Sequence, residues 1–79
     1  MKVPRDLSGR ELVKALEKFG YLVQRQKGSH CYLVSSNGEH HIAVPLHNPL
    51  KLGTLMGILN DIGSHSGLTR ADLINRLFE

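Results

Sequence analysis

Residues 21–45 read YLVQRQKGSHCYLVSSNGEHHIAVP, and the breaks inside this stretch decide the fold. Asn37-Gly38 is a strong hairpin signal, because a type I′ turn needs positive φ at both central residues. Lys27-Gly28 breaks the stretch a second time. The runs 21–26, 30–35 and 40–44 are rich in strand formers. Pro45 closes the third run, since it offers no N–H for further pairing. With Asn37 and Gly38 as the loop, the opposed pairs are Val34–His41, Leu33–Ile42, Tyr32–Ala43, Cys31–Val44 and His30–Pro45. Opposed residues share a face. Cys31, Leu33, Ile42 and Val44 therefore form an apolar face, expected to meet helices. His30, Tyr32, Val34 and His41 form the other, expected to stay open. If Lys27 and Gly28 are likewise loop residues, Arg25 opposes His30 and Val23 opposes Tyr32. The first run alternates poorly, so this pairing has less support from the pattern.

Helices flank the strands. Ser8 and Glu11 form a capping-box pattern, with Leu7 and Leu12 as a hydrophobic staple. Leu12, Val13, Leu16 and Phe19 then recur at helical spacing, and Gly20 is a natural stop, giving a helix over 9–19. After a loop stiffened by Pro45 and Pro49, a stripe of Leu52, Leu55, Met56, Leu59 and Ile62 predicts a helix over 52–62, ended by Gly63. Gly57 inside it costs up to about 1 kcal/mol relative to alanine, which points to close packing there. Residues 64–67 read as a turn. Thr69 with Asp72 caps a last helix over 70–78. The expected class is α+β, in the order α-β-β-β-α plus a short C-terminal helix, with a three-stranded antiparallel sheet and its helices on one face.

At 79 residues the chain is expected to be a single domain, 1–79. Its one cysteine, Cys31, cannot form an internal disulfide, which favours a reducing, cytoplasmic setting. No apolar run approaches the roughly 20 residues of a membrane span. The start, Met-Lys-Val-Pro-Arg-Asp, has no apolar segment behind its charges and does not read as a secretory leader. The net charge is +3 and is unevenly spread. Residues 1–51 carry eight Lys and Arg against four Asp and Glu, whereas 52–79 carry two against three. Four of the five histidines lie between 30 and 47, where they can add positive charge near neutrality. Such a field suits nucleic acid or an acidic protein surface.

Gly28-Ser29-His30 is the sharpest local feature. A glycine-bearing turn allows close backbone approach to a ligand, Ser29 adds a hydroxyl, and His30 can exchange protons near pH 7. Arg25 and Lys27 supply cations beside it. The same tripeptide also fits a plain turn followed by an ordinary strand residue. His47, beyond Val44-Pro45, is a second candidate or a solvated loop histidine. His40 and His41 flank a hairpin turn and read as surface residues, and His65 sits in a helix connector. The spacing of His and Cys does not suggest a metal site. Cys31 falls on the apolar face and reads as a buried thiol rather than a nucleophile.

Lys27-Gly28-Ser29-His30, then Val44-Pro45-Leu46-His47, then Leu52-Gly53-Thr54-Leu55 with Ile58-Leu59 together resemble the HicA toxin family of mRNA interferases. The resemblance runs from the first helix to Ile62. It implies a double-stranded-RNA-binding-domain-like fold, cleavage of RNA and pairing with a HicB antitoxin. The histidine of the family's Gly-Ser-His motif is catalytic, and that position here is His30. One position that is often basic in the family holds Met56, and the helix over 70–78 lies at or beyond the family's usual end. On this reading the chain is a metal-independent endoribonuclease without cofactor. His30 is its general acid or base, with His47, water or Ser29 as the second proton carrier. Arg25, Lys27 and Lys51 hold phosphates, Ser29 lies in the RNA site, and Tyr32 stacks a base. The expected partners are mRNA and an acidic HicB-type antitoxin covering residues 25–32. The alternatives are a non-catalytic RNA-binding module of the double-stranded-RNA-binding type and a protein-interaction domain with a basic face.

Overall fold

Ser8 begins the first helix as its pattern requires. The Glu11 N–H donates to Ser8 Oγ at 3.1 Å, and the Ser8 N–H donates to Glu11 Oε1 at 2.9 Å. The computed structural model describes residues 3–79; Met1 and Lys2, part of the stretch read for a leader, lie outside them. The elements are α1 (Gly9–Phe19), β1 (Leu22–Lys27), β2 (His30–Val34), β3 (His41–Pro45), α2 (Leu52–Ser66) and α3 (Arg70–Phe78). Gly20 stops α1 in the left-handed conformation, at φ 119°. The three strands form one antiparallel sheet in the order β1-β2-β3. This is the expected α-β-β-β-α order with an added helix.

The second hairpin has the expected register, from His30–Pro45 to Val34–His41. Its turn is built differently. Gly38 has positive φ and Asn37 does not. The Gly38 N–H donates to the Ser35 carbonyl, and the Ser35 N–H donates to the His40 carbonyl. The loop is therefore four residues, 36–39. Two residues and four residues centred on the same point give the same pairing, so the face assignment survives.

The first hairpin corrects the expected register. Lys27 opposes His30, so Gly28 and Ser29 are the loop, and Gly28 takes φ 59°. Arg25 opposes Tyr32 rather than His30. The register then shifts between Val23 and Arg25, so that Val23 opposes Leu33 and Leu22 opposes Val34. Gln24 is the extra residue of a β-bulge. All of β1 is exposed, so the first run has no buried face to impose apolar alternation, and the extra residue leaves no mark in its pattern.

Two glycines in α2 also depart from expectation. The helix runs through Gly63 to Ser66, and Gly67, at φ 75°, is its stop. Gly63 serves the return of the chain, since a Cβ there would sit 3.1 Å from the Leu68 carbonyl oxygen. Gly57 is exposed, and a Cβ there would meet nothing within 4 Å, so it marks no close packing.

The core lies between the apolar sheet face and the helices. Leu12 and Leu16 of α1, Leu33 and Val44 of the sheet, Leu59 and Ile62 of α2 and Leu73 of α3 are almost fully buried. Burying each side chain of this size contributes about 1.5–3 kcal/mol. α3 belongs to this core through Leu73, Ile74 and Leu77. At one edge α1 approaches the end of β3. The Gly9 N–H donates to the His47 carbonyl at 2.9 Å, and a Cβ on Gly9 would overlap the Pro45 carbonyl oxygen.

Candidate functional site

The Gly28-Ser29 turn sets Lys27 directly opposite His30, and the next same-face pair is Arg25 opposite Tyr32. These four side chains share the sheet face turned away from the core. Arg25, Lys27 and His30 are exposed and Tyr32 is half-buried. The His30 and Tyr32 rings lie 6.5 Å apart, centroid to centroid. The Arg25 guanidinium carbon stands 4.8 Å from the Tyr32 ring centroid, a cation–π contact. Arg25 therefore stacks on Tyr32 instead of flanking His30. Among the described residues, no ion pair engages Arg25, Lys27 or Lys51.

Ser29 is exposed, and its carbonyl accepts the Leu46 N–H at 2.6 Å. This bond draws the loop after β3 against the turn, so the exposed His47 lies at the same end of the molecule as His30. Lys51 is not on the sheet face. It is the N-cap of α2, exposed, with no side-chain cap bond. Met56 is half-buried against the core and serves packing. Val34 and His41 share the open face further along, with Val34 buried and His41 exposed.

The far end of the hairpin holds a cluster that sequence reasoning missed. His40 is largely covered, its side chain only 14% exposed, instead of a surface residue. Its Nδ1 lies 2.6 Å from the Tyr21 hydroxyl, and its Nε2 lies 3.3 Å from Asp61 Oδ1. His65 stacks on it at 4.6 Å between centroids, with the rings 10° from parallel. Burial, and then the Asp61 carboxylate, push the Tyr21 hydroxyl above its ordinary pKa. Tyr21 and His40 lie far in sequence from each other and from Asp61 and His65, which are one turn apart on α2, so no local motif announces the whole cluster.

Cys31 is buried on the core face. Burial, with a smaller contribution from Glu17, holds its thiol above the ordinary value, against an opposing effect of Arg10. Among the described residues, no three His, Cys, Asp or Glu side chains converge as metal ligands, and no helix is long and apolar enough to cross a membrane.

The element order and sheet register define a small α+β domain of the double-stranded-RNA-binding type. Residues 9–64 match the family model described as HicA toxin of bacterial toxin–antitoxin, a span from the start of α1 to near the end of α2. The chain belongs to this family: it is a toxin of a toxin–antitoxin system, with an antitoxin as its partner. Comparison with curated proteins and with solved structures gave no match. α3 lies outside the matched span yet forms part of the core.

Proposed function

We propose that this toxin is a metal-independent endoribonuclease of the mRNA-interferase type, with His30 as its general acid or base. The observation that carries the reading is the Lys27–His30 pair at the end of the sheet. It sets an exposed imidazole opposite an exposed cation, at the position the family motif assigns to catalysis. In the reaction the ribose 2′-oxygen forms a bond to the adjacent phosphorus, and the bond from phosphorus to the 5′-oxygen breaks. One group takes the 2′-OH proton and another protonates the departing 5′-oxygen, leaving a 2′,3′-cyclic phosphate and a 5′-OH. His30 carries one of these protons. His47, drawn to the same end by the Leu46–Ser29 bond, carries the other, with Ser29 or water in its place if His47 does not. Lys27, Arg25 and Lys51 neutralise phosphates, and Ser29 borders the RNA. The substrate is mRNA in the cytoplasm.

The same exposed, basic face suits an acidic antitoxin of the HicB type. An interface of standard size, roughly 800 Å² per partner, would cover residues 25–32 and silence His30.

To test the reading, the purified chain is incubated in excess chelator with an RNA and with DNA of the same sequence. Cut RNA, intact DNA and 2′,3′-cyclic phosphate ends are expected. Cut DNA, or activity lost to chelator and restored by magnesium, would contradict it.

A further inference from the structure

The bulge in β1 builds a second feature on the open face. Without Gln24 as an extra residue, Val23 and Arg25 would share a face. The bulge instead sends Val23 to the α1 side, beside Gln26 and Cys31, and sets Gln24 next to Arg25 on the open side. Bulges commonly re-aim side chains in this way beside functional sites. The result is a shallow depression of about 320 Å³, bordered by Gln24, Arg25, Tyr32, His41 and Ala43.

We propose that this depression is a recognition site for one unpaired nucleobase of single-stranded RNA. The stacked Arg25–Tyr32 pair is its platform. Guanidinium planes and aromatic rings both stack on splayed-out bases. Gln24 offers an amide donor and an acceptor, and His41 a ring nitrogen of either kind. These two side chains can address the edge of the stacked base, which gives a preference among bases. A base held in a duplex cannot use the platform, because both its faces are already stacked and its pairing edge is occupied. The Tyr32 ring lies 6.5 Å from that of His30, close enough for the phosphate next to the stacked base to reach the imidazole. The base selected is then the neighbour of the cleaved bond. This last step rests on the catalytic reading of His30, whereas base binding itself does not.

The probe is a 2′-O-methyl RNA oligonucleotide, which cannot be cut, carrying the fluorescent base 2-aminopurine at one position. Its fluorescence and affinity are measured with the wild-type chain and with Tyr32→Leu, Tyr32→Phe and His30→Ala. Wild-type and His30→Ala chains should bind and quench the probe. Tyr32→Phe should retain quenching. Tyr32→Leu should lose it and bind roughly tenfold to a hundredfold more weakly. The proposal is overturned if wild type binds without quenching or does not bind, as a face reserved for the antitoxin would. It is also overturned if Tyr32→Leu behaves as wild type, or if a fully duplexed probe is quenched equally. Quenching by a wild-type chain that never cuts RNA would sink the catalytic reading and leave the base site standing.

Discussion

β2 and its hairpin carry a histidine at each end, and the fold treats the two in opposite ways. His30 and His40 are ten residues apart in sequence, and about five residues of strand, or roughly 17 Å, separate them in space. At the far end both ring nitrogens of His40 are engaged, by Tyr21 and Asp61, and His65 covers its ring. At the turn end His30 is exposed opposite Lys27. A histidine whose nitrogens are both committed pins α2 to the sheet hairpin. One that is exposed opposite the exposed Lys27 is available to a substrate. Residue type alone does not separate the two; their partners do.

The contrast can be broken at either end. The largest effect on stability is expected at Gly9, which lets α1 approach the end of β3 and the following loop that carries His47. In Gly9→Ala the new methyl group meets the Pro45 carbonyl. Such overpacking costs about 3 kcal/mol, which lowers Tm by roughly 12 °C or more. An unchanged melting curve would show that this edge is looser than described. At the other end, His40→Ala strips Tyr21 and Asp61 of their shared partner. The expected loss is about 2 kcal/mol, read as a lower urea midpoint with unchanged m-value. Equal stability would mean that the cluster is ornamental.

Alkaline pH sharpens the contrast further. The folded Tyr21 hydroxyl has a raised pKa, so the fold favours its protonated form. That stabilisation is complete below the unfolded value, about 10, and is lost as pH rises through the folded one. Melting curves from pH 8 to 11 should show wild type losing its advantage over Tyr21→Phe above about pH 10. A constant gap would contradict the assignment. Gly57→Ala, in open space on α2, should instead stabilise by about 0.5–1 kcal/mol, and a decrease in Tm would show packing at that face. The smallest effect is expected at Lys27. Its removal should flatten the dependence of log affinity on log salt by roughly one unit for uncut RNA, with no change if Lys27 meets no phosphate.

Much of this layout is legible in the sequence because it depends on local chemistry. Ser8 with Glu11 and Thr69 with Asp72 mark helix starts. Asn37-Gly38, between runs of matching apolar alternation, gives the β2–β3 register even though the turn itself is of another kind. The bulge at Gln24 is hidden because a polar, exposed strand carries no apolar alternation to reveal an inserted residue; all of β1 is exposed. Arg25 falls opposite His30 only if Lys27 and Gly28 are the loop; with Gly28 and Ser29 there it opposes Tyr32 and stacks on it, and the bulge moves only the residues before it. Gly63 and Gly67 both look like helix stops, and only the positive φ of the second separates them. Of the proposed site, the neighbourhood of Ser29, His30 and Tyr32 follows from the turn, whereas Lys27 reads as a loop residue and instead pairs with His30 at the end of the sheet. The partners of His40 lie 19 and 21 positions away along the chain, so nothing near it signals its burial.

On the proposed function, chemistry belongs to the His30 end of the hairpin and structure to the His40 end. The direct measurement compares wild type, His30→Ala and His40→Ala on one RNA, at a temperature where circular dichroism shows all three folded. His30→Ala should lose cleavage by a factor on the order of 10² or more. His40→Ala should cut within a few-fold of wild type at the same bonds. A folded His30→Ala that cuts at the wild-type rate would contradict the account, as would a folded His40→Ala that is inactive.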